Sequence, residues 1–152
     1  MGTNVYYLSK NKDAVLKHFG NSYELTDFPY LAYEIHVMKR SSGWLPLWQS
    51  HENCRSVKDY KAAYDSGFFE IFDEYGTQYT WEDFYNEFAM FNGGIYGVAP
   101  REKIEQDPNS YFYDPNMPDT RPISHFEYAN GRYSSDYYTD PQGYEFTIHE
   151  FS

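Results

Sequence analysis

The chain has 152 residues, the size of one domain with a substantial core, and carries a net charge of −11 from 12 basic and 23 acidic side chains. Its apolar runs fall far short of the about 20 residues that a membrane-spanning helix needs, its start lacks the basic-then-apolar pattern of a secretory signal, and its single cysteine excludes an internal disulfide. The reading is a soluble cytoplasmic protein, too acidic to contact nucleic acid directly.

Val5–Leu8 reads as an opening strand, followed by a helix over Asn11–His18 that Gly20 closes. Strict alternation over 31–40 predicts a half-buried strand, with Leu31, Tyr33, Ile35 and Val37 on one face and Glu34, His36 and Met38 on the other. Ser41-Ser42-Gly43 is a turn, and Trp44–Trp48 returns as the partner strand of a hairpin, with Pro46 pointing to an edge position or a bulge. Ser56 and Asp59 form a capping box for a helix over 57–66, which Gly67 ends. Phe68–Phe72 is a short apolar strand running into the turn Asp73-Glu74-Tyr75-Gly76. Thr80 and Asp83 cap a helix over 81–91, whose stripe of Trp81, Phe84, Tyr85, Phe88 and Phe91 faces the core.

Beyond Asn92-Gly93-Gly94 the periodicity fades. Pro100 opens a short helix through Gln106, and Asp107–Pro122, with four prolines, reads as an irregular wrap. Asp140-Pro141-Gln142-Gly143 is a type I turn joining the strands of a closing hairpin. The expected fold is α+β: a small antiparallel sheet with two main packed helices and a long Pro-rich C-terminal wrap ending in a hairpin. The whole is one domain over 1–152, with an α+β core at 1–91 and a wrapping extension at 92–152.

Charge is segregated along this order. Residues 1–64 carry eight basic against six acidic side chains, a net of +2, whereas residues 65–152 carry four against seventeen, a net of −13. No Lys or Arg lies between Lys61 and Arg101. Tyr, Phe and Trp make up 22% of the chain, so the acidic surface is also aromatic. Tyrosine buries a large area at little rotamer cost and dominates interface hot spots. An acidic, aromatic surface suits a basic partner, and Glu70, Asp73, Glu74, Tyr75, Tyr79, Glu82 and Glu87 are the expected contacts.

A second candidate is the turn containing His36, Lys39, Ser41, Ser42 and Trp44, where the lysine and hydroxyls would hold a phosphate and the indole would stack a base. His51 and Cys54 offer one metal-ligand pair where a closed zinc site needs two, so no metal and no cofactor is expected. Asp73, Glu74, Glu82, Asp83 and Glu87 also have the chemistry to hold a divalent cation for hydrolysis, although a helix dipole and an ordinary turn account for them more simply.

The opening Met1–Leu8, the segment His36–Trp44, the turn Asp73–Gly76, and the endings Gly143–Phe146 and Glu150–Ser152 together resemble a group of small proteins encoded by bacteriophages and prophages. Members of that group often carry a Cys-x-x-Cys near the N-terminus, which is absent here, so no zinc site carries over. The resemblance implies a phage origin and no defined activity. With the charge pattern, it leads to the expectation of a non-enzymatic inhibitor that binds a basic surface on a host protein, such as an anti-CRISPR-like or DNA-mimicking factor in host-defence evasion. The alternatives are a protein that sequesters a signalling nucleotide and, third, a small metal-dependent hydrolase.

Overall fold

The computed structural model describes residues 2–96, 109, 122–129 and 136–151. Strand β1 (Gly2–Ser9) is central and leads into helix α1 (Lys12–Phe19), whose first turn is fixed by the Asn11 side chain accepting the Ala14 N–H at 3.0 Å. Strands β2 (Glu24–Thr26), β3 (Ala32–Ser41) and β4 (Leu47–Gln49) follow, then helix α2 (Val57–Asp65), capped by Ser56. Strands β5 (Glu70–Asp73) and β6 (Gln78–Tyr79) precede helix α3 (Trp81–Phe84), capped by Thr80 and continuing as a π-helical turn over Tyr85–Ala89. After helix α4 (His125–Ala129), strands β7 (Tyr137–Thr139) and β8 (Glu145–Thr147) form the closing hairpin, with the Gly143 N–H donating to the Asp140 carbonyl across the turn.

The strands form one eight-stranded sheet in the order β6-β5-β1-β3-β4-β8-β7, with β2 pairing separately to β3. The fold is α+β, but the sheet is mixed rather than antiparallel. β8 runs parallel to β4, so the final hairpin is part of the sheet, beside strands formed by the first fifty residues. The same pairing corrects the expectation for Pro46, because β4 is flanked by β3 and β8 and is no edge. Pro46 and Trp44 precede the strand, which avoids the missing N–H within the ladder. The helix expected over 100–106 and most of the Pro-rich stretch lie outside the described residues. Among the described residues no helix is long and apolar enough to cross a membrane.

Directly opposed residues share a face of the sheet. One face therefore carries Val5 and Tyr7, their partners Met38 and Ile35, and then Ile71, Trp48 and Phe146. All are buried in one cluster with Phe19 of α1, Tyr60 of α2, and Phe84 and Phe88. Met38 was expected opposite Ile35. A β-bulge puts Val37 as an extra residue on β3 between the Tyr6–His36 and Val5–Met38 pairs, and this returns Met38 to the face of Ile35. Leu31 lies before the strand and is 74% exposed. Phe84 and Phe88 are fully buried as expected, whereas Trp81 is only half-buried at the edge of the cluster. The buried tyrosines keep their hydroxyls satisfied: Tyr7 donates to the Tyr60 carbonyl at 2.8 Å, and Tyr60 to the Gln49 carbonyl at 2.6 Å.

Candidate functional site

The opposite face is built differently. β2 and β4 both flank β3 on the side away from β1, but β2 pairs with Ala32–Glu34 and β4 with Met38 and Lys39. The intervening stretch of β3 has no strand beside it there. The His36 carbonyl in this gap is taken instead by the His51 Nε2–H at 2.8 Å. An open cleft of about 600 Å³ lies at the gap. β1 and β3 contribute Tyr6, Glu34 and His36, the β2 side Tyr23 and Glu24, the end of β4 Gln49 and His51, and the C-terminal segment Glu150 and Phe151.

Glu24 and Glu34 are directly opposed in the β2–β3 register. Burial, and then the Glu24 charge, raise the carboxyl pKa of Glu34, with a hydrogen bond from the Thr26 side chain partly offsetting them. The Tyr6 hydroxyl is pushed up to about 12 by burial and then by Glu34, Glu74 and Glu24. Burial lowers His36 to about 4, a shift that the Gln49 side chain moderates, and lowers His51 as well, against the His36 carbonyl and Glu150. Both rings are therefore neutral near pH 7. With its Nε2–H given to a carbonyl, His51 keeps a bare lone pair on Nδ1, and that atom is buried without a partner. His36 pairs through Nε2 with Asn4 Oδ1 at 2.9 Å, and its Nδ1 makes no hydrogen bond of normal geometry. The His36 ring lies 4.6 Å from that of Phe151 and 5.3 Å from that of Tyr6, centroid to centroid.

The acidic residues singled out from the sequence separate into groups. Asp73 is 8% exposed and holds its own turn together, accepting the Tyr75 and Thr77 N–H groups and the Tyr79 hydroxyl. Asp73 and Tyr79, expected as contacts, are thereby engaged in holding the turn, with three acceptor sites of the carboxylate taken. Glu74 accepts the Asn4 N–H at 2.8 Å and its charge reaches Tyr6, so it borders the cleft face. Glu70, bonded by Tyr30 and Gln78, is exposed with Tyr75, Glu82 and Glu87.

The second candidate comes apart. His36 lines the cleft, but Trp44 is 9% exposed and stacked on His125 of α4 at 4.5 Å, so its face is not open to a base. Lys39 passes over Gly2, Ser41 ends β3, and Ser42 is exposed in the turn. His51 and Cys54 pair through their backbones; the Cys54 thiol is fully buried, and burial drives its pKa well up. Among the described residues no three His, Cys, Asp or Glu side chains are grouped to hold a metal.

Tyr6, Glu24, Glu34, Glu150 and Phe151 were not singled out from the sequence. The alternation that sets Glu34 and His36 on one face was the available signal, but only the pairing of β2 creates the gap. Comparison with protein-family models, curated proteins and solved structures returns no match.

Proposed function

We propose that this is a non-enzymatic binding protein of phage origin, whose acidic, aromatic cleft face docks on a basic surface of a host protein and so inhibits or redirects it. The observation that supports this reading is the convergence of Glu24, Glu34 and Glu74 on Tyr6, with no Lys or Arg ion-paired to any of them among the described residues. Carboxylates held together without a counter-ion repel one another, and a docking cation relieves that repulsion while gaining the field of all three. A host-defence protein that normally grips nucleic-acid phosphates is a target class suited to such a surface. The nucleophiles nearest the cleft histidines are engaged elsewhere: the Tyr138 hydroxyl gives its one proton to the Arg55 carbonyl at 2.9 Å, so the Ser50 hydroxyl 2.9 Å away donates to it, and the Cys54 thiol is kept protonated by burial.

The test is affinity capture from a bacterial lysate with the parent protein and with a Glu24→Lys, Glu34→Lys, Glu74→Lys variant, each checked for folding by circular dichroism. A protein with a basic surface is expected on the parent at low salt, absent at 1 M salt and absent from the folded variant. Equal retention by the variant overturns the reading. So does hydrolytic turnover of a nucleotide or nucleic acid that disappears in a His36→Asn variant.

A further inference from the structure

We propose that the cleft between β2 and β4 receives the guanidinium group of an arginine side chain presented by the partner protein. This rests on the binding reading above and names the group that enters the site.

The lining is rich in acceptors. Glu24, Glu34 and Glu150 are acceptor-only when ionised. His51, 6% exposed and lining the cleft, has committed its one N–H to the His36 carbonyl, which leaves Nδ1 an unpartnered acceptor. His36 Nδ1 makes no hydrogen bond of normal geometry, but the Gln49 side chain and the Met38 backbone bear on that ring. A buried acceptor with no donor is costly, and His51 Nδ1 beside carboxylates that pair with no cation among the described residues favours a group that only donates. A guanidinium is that group, with five N–H donors in a planar fork and no acceptor.

The aromatic rings favour the same occupant. Tyr6, Tyr23, His36 and Phe151 line the cavity beside the carboxylates, and a planar delocalised cation stacks on such faces while its edge reaches carboxylate oxygens. The protein already uses this chemistry internally: Arg40 lies 4.2 Å over the Phe88 ring while its Nη1 donates to the Glu87 carbonyl at 2.8 Å. A phosphate would face the carboxylates and is disfavoured, and a lysine ammonium, a compact point charge with three donors, fits the dispersed acceptors less well.

Calorimetry at low salt with three blocked pentapeptides decides the matter: Gly-Arg-Gly-Arg-Gly, the same peptide with lysines, and the same with neutral citrullines, alongside free arginine amide. The arginine peptide is expected to bind at least about tenfold more tightly than the lysine peptide, with no saturable binding of the citrulline peptide. A Glu24→Gln, Glu34→Gln variant should lose at least about tenfold in affinity with no fall in its melting temperature, whereas Glu82→Gln, Glu87→Gln should bind as the parent. The ring ¹⁵N signal of His51 Nδ1 should shift on adding the arginine peptide.

Equal affinity for lysine and arginine, or unchanged binding by the Glu24, Glu34 variant, overturns the guanidinium assignment. If loss of binding follows Glu82 and Glu87 instead, the acidic-partner reading stands and the cleft assignment falls. Binding of arginine amide as tight as the peptide overturns a protein-borne arginine in favour of a small molecule. If no basic peptide binds and capture from lysate is insensitive to salt, both readings fall.

Discussion

Tyr6 and Tyr7 are neighbours on β1, and the pleat sends them to opposite fates. Tyr7 is fully buried among Phe19, Tyr60 and Phe69, with its hydroxyl on a backbone carbonyl. Tyr6 is half-buried, and burial, then the surrounding carboxylates, push its hydroxyl up to about 12. The helix-covered face is a core of interlocked rings whose polar atoms mostly find backbone partners. The other face holds charges and ring nitrogens without such partners. A side chain's chemistry is thus set by which neighbours the pairing brings to it; the helix-covered face leaves the Trp48 Nε1–H without a partner, whereas the other face gathers opposed carboxylates.

The comparison breaks first in the core. Phe84 meets Trp48, Trp81 and Phe88 with centroids 5.7, 5.4 and 5.9 Å away, and is fully buried. Phe84→Ala should lower unfolding free energy by about 3–5 kcal/mol in urea titrations, the usual result of removing a large ring from a packed core. A loss below about 1 kcal/mol would mean that this face is loosely packed and that the contrast drawn here is false.

The second way to sharpen it is pH, because the most strongly perturbed histidines belong to the cleft and α4 side. His36 and His125 are held near 4 by burial, against an ordinary value of 6.5. The unfolded chain therefore binds more protons than the native one below pH 6.5, so their contribution is present above that value and lost as pH falls toward 4. By pH 5 each should cost about 2 kcal/mol. Glu34 and Glu145 act in the opposite sense, since their raised native pKa values give stability that is present below the ordinary carboxylate value of 4.5 and lost as pH rises through the raised one. The larger histidine shifts should win between pH 7 and 5. Urea titrations at both values test this, and His125→Asn should flatten the difference.

What could be read from the sequence follows from the range of the interaction concerned. The caps of α1, α2 and α3, the Asp73–Gly76 turn and the Asp140–Gly143 turn of the closing hairpin all depend on residues within five positions of one another, and each stands where its motif lies. The aromatic stripe of α3 was legible from period alone, until the π-helical turn moved the register, with the Met90 N–H reaching back to the Tyr85 carbonyl. The bulge at Val37, the parallel β4–β8 pair and the gap beside His36 join residues far apart in the chain, and no local pattern marks them. The acidic stretch drew attention to Asp73 because charge is visible in sequence, but the engagement of that charge by three local donors is not. Glu24 and Glu34 look ordinary in the sequence and become a pair only through the hairpin that opposes them.

Asp73 gives the third contrast, between acidic residues that look alike in sequence. Asp73→Ala strands two backbone N–H groups and the Tyr79 hydroxyl, and should cost about 1–3 kcal/mol. Glu82→Lys, on the exposed first turn of α3, should change stability by about 0.5 kcal/mol or less. Thermal melts of the two variants side by side measure the difference, and equal effects would return Asp73 to the surface.

The smallest expected effect is the most telling about the cleft. Glu24 and Glu34 oppose one another across β2 and β3, and like charges in that position destabilise a sheet by about 0.2–1 kcal/mol. Glu24→Gln should therefore stabilise the protein slightly, and Glu24→Gln with Glu34→Gln should do no worse, because a neutral amide keeps the shape of each side chain. Salt supplies an independent handle. Screening between exposed charges strengthens from a Debye length of about 10 Å at 0.1 M to about 3 Å at 1 M, so the parent should gain stability on adding salt and the double variant should gain less. Stabilisation of this kind is commonly obtained at sites where function, rather than folding, has kept a repulsive arrangement in place. If the double variant is instead less stable than the parent at every salt concentration, the two carboxylates serve the fold, and the cleft is an ordinary polar surface.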